Sequence, residues 1–222
     1  MAELIITIDG PAGVGKSTVA QLLAKRLGVA FLDTGATYRA LTLVAMQNKA
    51  DLTDKERLLQ LLRNTDFQFT IANDQMKVTI DGADVTDEIR SPAVTANVRH
   101  IAEAPKLRRE LVQMQRSFAE KYERIVTEGR DQGTVAFPDA DFKFFLTADL
   151  TERARRRQKQ LAENGKGLEL EKIQAEIAKR DASDEQRTIG PLTPAADAII
   201  IDTTDLDAEG VVEEVLGYIK NK

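Results

Sequence analysis

The sequence predicts an α/β fold built on a parallel sheet, and three observations carry that prediction. Short apolar, β-branched runs such as "LIITI" (Leu4 to Ile8) show no polar alternation, as strands covered on both faces do. Segments with apolar residues at helical spacing lie between these runs. Polar and charged residues gather just after the runs, at the carboxyl edge where such sheets bind ligands.

Taken in order, "LIITI" passes through a glycine-rich turn into "STVAQLLAKRLGVA", where Val19, Leu22, Leu23 and Leu27 sit on one helical face. Gly28 is a stop signal. "AFLDTG" reads as a second short strand ending in polar residues, and "YRALTLVAMQNKA" as the next helix, with "LTDKE" capping another. The middle departs from alternation. "FQFTI" and "MKVTI" are joined through "ANDQ", and Asp81–Gly82 marks a tight turn into "ADVT", so a small antiparallel insertion is expected. "RIVTEGRD" and "DFKFFLTAD" resume the buried runs. "TERARRRQKQLAENGKG" is a basic helix ending near Gly165 and Gly167, and a mobile arginine-bearing flap is expected there. In "LELEKIQAEIAK", Leu170, Ile173 and Ile177 form an apolar stripe. Continuing it brings Arg180, Asp184 and Arg187 onto the same, inward face, where charges need partners. "DAIIIDTT" supplies a last strand before the helix "AEGVVEEVLGYIK".

Composition narrows the function. The chain has 222 residues, 42% of them hydrophobic, enough for a core, and a net charge of −5. That acidity argues against nucleic acid or anionic lipid as a partner, so any bound anion must be held by arginines gathered locally. There is no cysteine and one histidine, His100, which excludes disulfides, thiolate metal sites and multi-histidine zinc. The opening "MAELIITIDG" has neither the basic leader nor the length of a targeting or membrane segment. A cytoplasmic monomer is expected.

"GPAGVGKS", Gly10 to Ser17, fits G-x-x-x-x-G-K-[ST] between a strand and a helix, the setting in which that loop cradles phosphates. Gly10, Pro11, Ala12, Gly13, Val14, Gly15, Lys16, Ser17 and Thr18 are the candidate ATP or GTP contacts. Lys16 is placed to reach the β/γ-phosphates, and Ser17 to ligate Mg²⁺. "NKAD" (Asn48 to Asp51) matches a guanine-reading pattern but falls at a helix end, not after a late core strand, and is read as a helix terminus. Candidates for the phosphate acceptor's pocket follow the strands: Asp33, Thr34, Gly35, Tyr38 and Arg39; then Glu128, Gly129, Arg130 and Asp131; then Arg180, Asp184 and Arg187. These residues alone leave open a kinase for UMP, AMP or a non-nucleotide acid, and a nucleotide-dependent switch.

"IDGPAGVGKSTVA", "LDTGATYRAL", "EGRDQGTVAFPDAD" and "RDASDEQRTIGPLTPAADAIIIDTT" together resemble the bacterial cytidylate kinases, in order and spacing, over nearly the whole chain. The resemblance implies a single nucleoside monophosphate kinase domain, an α/β P-loop three-layer sandwich with a five-stranded parallel sheet. Its core would be residues 1–38, 101–150 and 168–222, its monophosphate-binding insertion 39–100, with a small antiparallel sheet, and its short lid 151–167. It implies transfer of the γ-phosphoryl group of ATP to CMP or dCMP with Mg²⁺. Arg39, Arg130 and Arg187 match residues that hold the acceptor, Arg180 and Asp184 a pair that meets the sugar hydroxyls, and Arg108 and Asp131 positions that recognise cytosine. Thr34 matches a hydroxyl position beside the acceptor. Where the family often has a serine touching the base, this chain has Arg99. In that frame Lys16, Arg130 and the lid residues Arg153 and Arg157 are the candidate catalytic cations.

Overall fold

The computed structural model describes residues 2–163 and 167–220. The part of the expected lid at 164–166 lies outside the described residues. In chain order the elements are β1 (Leu4–Asp9), α1 (Lys16–Leu27), β2 (Ala30–Asp33), α2 (Thr34–Gln47) and α3 (Lys55–Asn64), followed by β3 (Phe67–Ala72), β4 (Gln75–Ile80) and β5 (Ala83–Asp84). Then come α4 (Pro92–Ala102), α5 (Pro105–Tyr122), β6 (Arg124–Gly129), β7 (Phe142–Thr147), α6 (Leu150–Glu163), α7 (Leu170–Glu185), β8 (Ile199–Asp202) and α8 (Ala208–Lys220). One sheet has five strands in the order β2-β6-β1-β7-β8, the other three in the order β3-β4-β5. The expected fold class is therefore the one found.

The described chain divides into two compact units. One is centred on Ala30–Ile125; the other joins Leu4–Val29 to the chain from Val126 onward. In the second unit β1 runs parallel to β7, with Ile6 beside Phe142 and Asp9 beside Phe145, and β7 parallel to β8, with Phe144 beside Ile199. Ile6, Ile8, Phe144 and Ile201 are all buried, which is why these runs carry no polar alternation. α1 stops where Gly28, at φ 65°, turns its N–H back onto the helix carbonyls.

In the first unit, Asp33 caps α2 by accepting the Ala36 N–H, and Asp54 caps α3 by accepting that of Arg57. The "NKAD" stretch is a helix end as expected: Asn48 closes α2 and Lys49 turns at φ 51°. β3 and β4 pair antiparallel from Phe67–Ile80 to Ala72–Gln75, across a turn whose Asn73 and Asp74 both take positive φ. Asp81 and Gly82 repeat that geometry before β5.

α7 answers the sequence differently from its expected phase. Ile173 and Ile177 are buried in a cluster with Ala12 and Ala154. The buried stripe then continues through Asp181 and Asp184, while Arg180 is exposed. Steps of four, four and three follow the helix; the expected step of three after Ile177 selected its outer neighbour. Packing at this cluster should be measurable. Ile173→Ala is expected to lower unfolding free energy by about 2–5 kcal/mol in urea titration, whereas Leu168→Ala, at an exposed site, should change it by less than about 0.5 kcal/mol.

Candidate functional site

The glycine-rich loop leaves β1 at Asp9 and enters α1 at Lys16. Its first glycine is dictated by space: at φ 149°, a Cβ on Gly10 would lie 2.3 Å from the Leu146 carbonyl oxygen. Gly13, at φ 77°, is pressed by the α6 backbone, where a Cβ would meet the Arg153 carbonyl oxygen at 3.1 Å. Lys16 is buried and donates from Nζ to the Pro11 carbonyl at 2.7 Å. Burial first, then the charge of Arg130, holds its pKa well below the ordinary lysine value. Ser17, exposed on the first turn of α1, donates from Oγ to Glu128 Oε1 at 2.9 Å. The loop thus ends on a helix N-terminus, whose field favours an anion.

Two buried aspartates hold this loop and its neighbour from outside. Asp9 accepts the N–H groups of Gln132 at 2.9 Å and Gly133 at 2.8 Å, which pins the turn that follows Arg130 and Asp131. Asp181 accepts the Ala12 N–H at 2.9 Å and pairs with Arg153. Arg153 Nη1 in turn donates to the Ala12 carbonyl at 2.9 Å, and its Nε to that of Ala148 at 3.1 Å. Neither aspartate's role was visible in the local sequence pattern: Asp181 keeps the helical spacing of Ile173 and Ile177, but a charged residue does not continue an apolar stripe.

The same unit brings together three of the residues expected to meet an acceptor. Asp184, almost wholly buried, accepts Arg130 Nε on Oδ2 at 2.8 Å and Arg187 Nη2 on Oδ1. The Nε of Arg187 is buried without a hydrogen-bond partner. Asp131 is buried beside them in sequence, and Arg180 stands exposed one turn earlier on α7. Among the basic residues of α6, Arg157 is exposed and bonds to Gln160, whereas Arg156 reaches Thr203 and Thr204 near the end of β8.

The other unit carries a matching group. Asp33 Oδ2 accepts Arg39 Nη2 at 2.7 Å and Arg90 Nη2 at 2.8 Å. Burial alone would raise the Asp33 pKa; the charges of Arg39 and then Arg90, with the hydrogen bonds from Arg90 and the Ala36 N–H, hold it below the ordinary carboxylate value. Arg39 keeps a buried Nε without a partner. Thr34 is buried on the first turn of α2. Arg108 is buried on α5, donates to the Ala102 carbonyl at 3.2 Å and lies over the Tyr38 ring, 5.6 Å from its centroid. Arg90 was not anticipated: it ends a short 3₁₀ turn, and no local motif marks it.

A strand, a glycine-rich loop with its lysine and serine, and a helix in this arrangement define a P-loop nucleotide-binding fold. The cytidylate kinase family profile matches residues 6–221. A cytidylate kinase from Caldanaerobacter subterraneus subsp. tengcongensis is 48% identical over 215 residues, covering 97% of this chain and 94% of that protein. One from Azotobacter vinelandii is 47% identical over 218 residues, covering 97% and 95%. In fold, the chain is similar to an uncharacterized protein from Eubacterium ventriosum at TM-score 0.54 and 16% identity, covering 99% of each chain. The chain belongs to the cytidylate kinase family. No described helix is long and apolar enough to cross a membrane.

The buried Asp9 makes a pH-dependent contribution that can be isolated. Burial pushes its pKa up to about 6 from 3.8, against the two N–H donors that favour the charged form. Between those values the folded protein takes up a proton that the unfolded chain does not, so this contribution to stability rises as pH falls from about 6 to about 4. Wild type measured against Asp9→Asn should therefore gain up to about 3 kcal/mol between pH 7 and pH 4. Urea denaturation at several pH values reads this directly; a difference independent of pH would contradict it.

Proposed function

We propose that this protein transfers the γ-phosphoryl group of ATP to CMP or dCMP, with ATP on the Gly10–Thr18 loop and the acceptor held by arginines. One observation carries the proposal. At two separate places a single buried carboxylate is shared by two arginines: Asp33 by Arg39 and Arg90, and Asp184 by Arg130 and Arg187. Counting those three groups at each place, two positive charges meet one negative, so each group carries a surplus positive charge. Arg39, Arg130 and Arg187 are largely buried, whereas Arg90 is about half exposed. A surplus charge held away from water is costly unless an anion arrives, and a nucleotide's phosphate is such an anion. The partnerless Nε atoms of Arg39 and Arg187 are donors in reserve for it.

The residues then take distinct tasks. Burial weakens the hold of Lys16 on its proton, and an incoming phosphate favours its charged form. Arg130 and Arg187 orient the acceptor phosphate, which is already an anion and needs positioning more than deprotonation. Arg39 and Thr34 also serve the acceptor. Arg180 and Asp184 meet the sugar, and Arg108 and Asp131 the cytosine ring. The exposed Arg157 is available to approach the transferred group, where arginine contacts in other phosphoryl-transfer systems contribute roughly 10³–10⁵ in rate.

Ser17 Oγ and Glu128 Oε1, 2.9 Å apart, are hard oxygen donors of the kind Mg²⁺ takes when substrate phosphates complete its shell. Among the described residues there is no cluster of three acidic or histidine side chains to hold a metal without substrate. When bound, Mg²⁺ neutralises charge on the phosphates; Ser17 and Glu128 are the residues that would hold it.

Coupled ADP release over a panel of acceptors tests the assignment, with CMP and dCMP expected to exceed UMP, AMP and small organic acids. In the same assay Arg187→Ala should raise the KM for CMP by about tenfold or more and leave the KM for ATP within about twofold. Unchanged CMP kinetics would leave Arg187 a structural partner of Asp184 and nothing more.

A further inference from the structure

A third buried ion pair differs from the two above in its charge balance. Asp181 and Arg153 pair one to one, so this pair carries no surplus charge to offer an anion. What the pair does touch is the nucleotide loop. Asp181 Oδ1 accepts the Ala12 N–H at 2.9 Å, and Arg153 Nη1 donates to the Ala12 carbonyl at 2.9 Å. Both polar groups of one loop residue are thus held by one ion pair, with Asp181 7% and Arg153 9% exposed. The partners come from α7 and α6, elements 169 and 141 residues away along the chain.

Packing reinforces the bond. The Ala12 methyl is buried against Ala154, Ile173 and Ile177, with Leu150, Leu161 and Leu170 at the margin. Gly13 lies so close to α6 and α7 that an added Cβ would meet Arg153 Cβ at 3.2 Å and Ile177 Cδ1 at 3.3 Å. A loop whose N–H groups must point at phosphate cannot tie itself down with those same groups, so its orientation has to be set from outside.

We propose that Asp181 is a positioning residue for phosphoryl transfer: through Arg153 it clamps the Ala12 peptide and so sets the direction of the phosphate-binding loop, coupling it to the α6–α7 hairpin. The proposal rests on that loop being the ATP site. It also reassigns Arg153, expected from sequence to touch the transferred group, to the support of the loop. Its guanidinium is committed to Ala12, Ala148 and Asp181.

The test compares Asp181→Asn with the double variant Asp181→Asn/Arg153→Met, alongside Lys16→Ala. Asparagine keeps an acceptor for Ala12 but removes the negative charge that pairs with Arg153; the double variant removes the unpaired cation and protects folding. Each is measured for thermal midpoint, for ATP affinity by equilibrium titration, and for the KM of ATP and CMP. Both Asp181 variants are expected to weaken ATP by about tenfold and to leave the KM for CMP within about twofold. If the double variant folds and binds ATP as wild type does, Asp181 only stabilises the protein and the proposal is overturned. If Lys16→Ala also leaves ATP affinity untouched, the loop is not the ATP site and both readings fall together.

Discussion

The balance between buried carboxylates and the guanidiniums around them organises this molecule. An acidic chain that handles phosphorylated guests cannot rely on overall charge, so it must gather cations at particular places. Buried cations in turn need carboxylates, or the protein would not tolerate them in the absence of a guest. Asp33 and Asp184 each answer two arginines, whereas Asp181 answers one. In the proposed reading, that ratio distinguishes the two groups offered to an incoming anion from the pair that holds backbone. Removing either kind of carboxylate would leave guanidinium charge uncompensated, a change that is usually severe.

The phosphate-binding loop sits at the meeting of two such constraints. Its glycines give it the shape, but shape alone does not hold a loop whose donors point outward. Asp9 holds the neighbouring turn at Gln132 and Gly133, and Asp181 with Arg153 holds the loop itself at Ala12. The first sits at the end of a central strand, where burial raises its pKa; the second sits on a helix whose apolar stripe packs against the loop. Strand, loop and helical hairpin therefore share a small set of polar bonds that a single substitution can reach.

Sequence disclosed whatever was encoded by close neighbours. The strand–loop–helix motif at Gly10 to Ser17, the cap at Asp54, the helix end in "NKAD" and the two tight turns of the antiparallel sheet all depend on residues within a few positions, and each stands where its local chemistry puts it. The pairing of Arg130 and Arg187 through Asp184 was partly legible, because those residues follow strand ends or share a helix face. Arg153, Arg156 and Arg90 were different. Beside nearer contacts such as Ala148 and Glu152, Arg153 reaches Asp181 and Ala12 and Arg156 reaches Thr203, while Arg90 reaches Asp33; these longer-range partners leave no local pattern to say which arginine turns inward. The phase of α7 was lost by one residue at Asp181, since a charged side chain gave no apolar signal to continue the stripe.

The central claim is that the surplus positive charge at Asp33 and Asp184 awaits a phosphate. Thermal unfolding with CMP against cytidine isolates that group, because the two ligands share base and sugar. CMP at about a hundred times its Kd should raise Tm by roughly 5–10 °C, and cytidine at the same concentration by less than about 1 °C. Equal stabilisation by cytidine would mean that the arginines recognise something other than phosphate, and the account would fail.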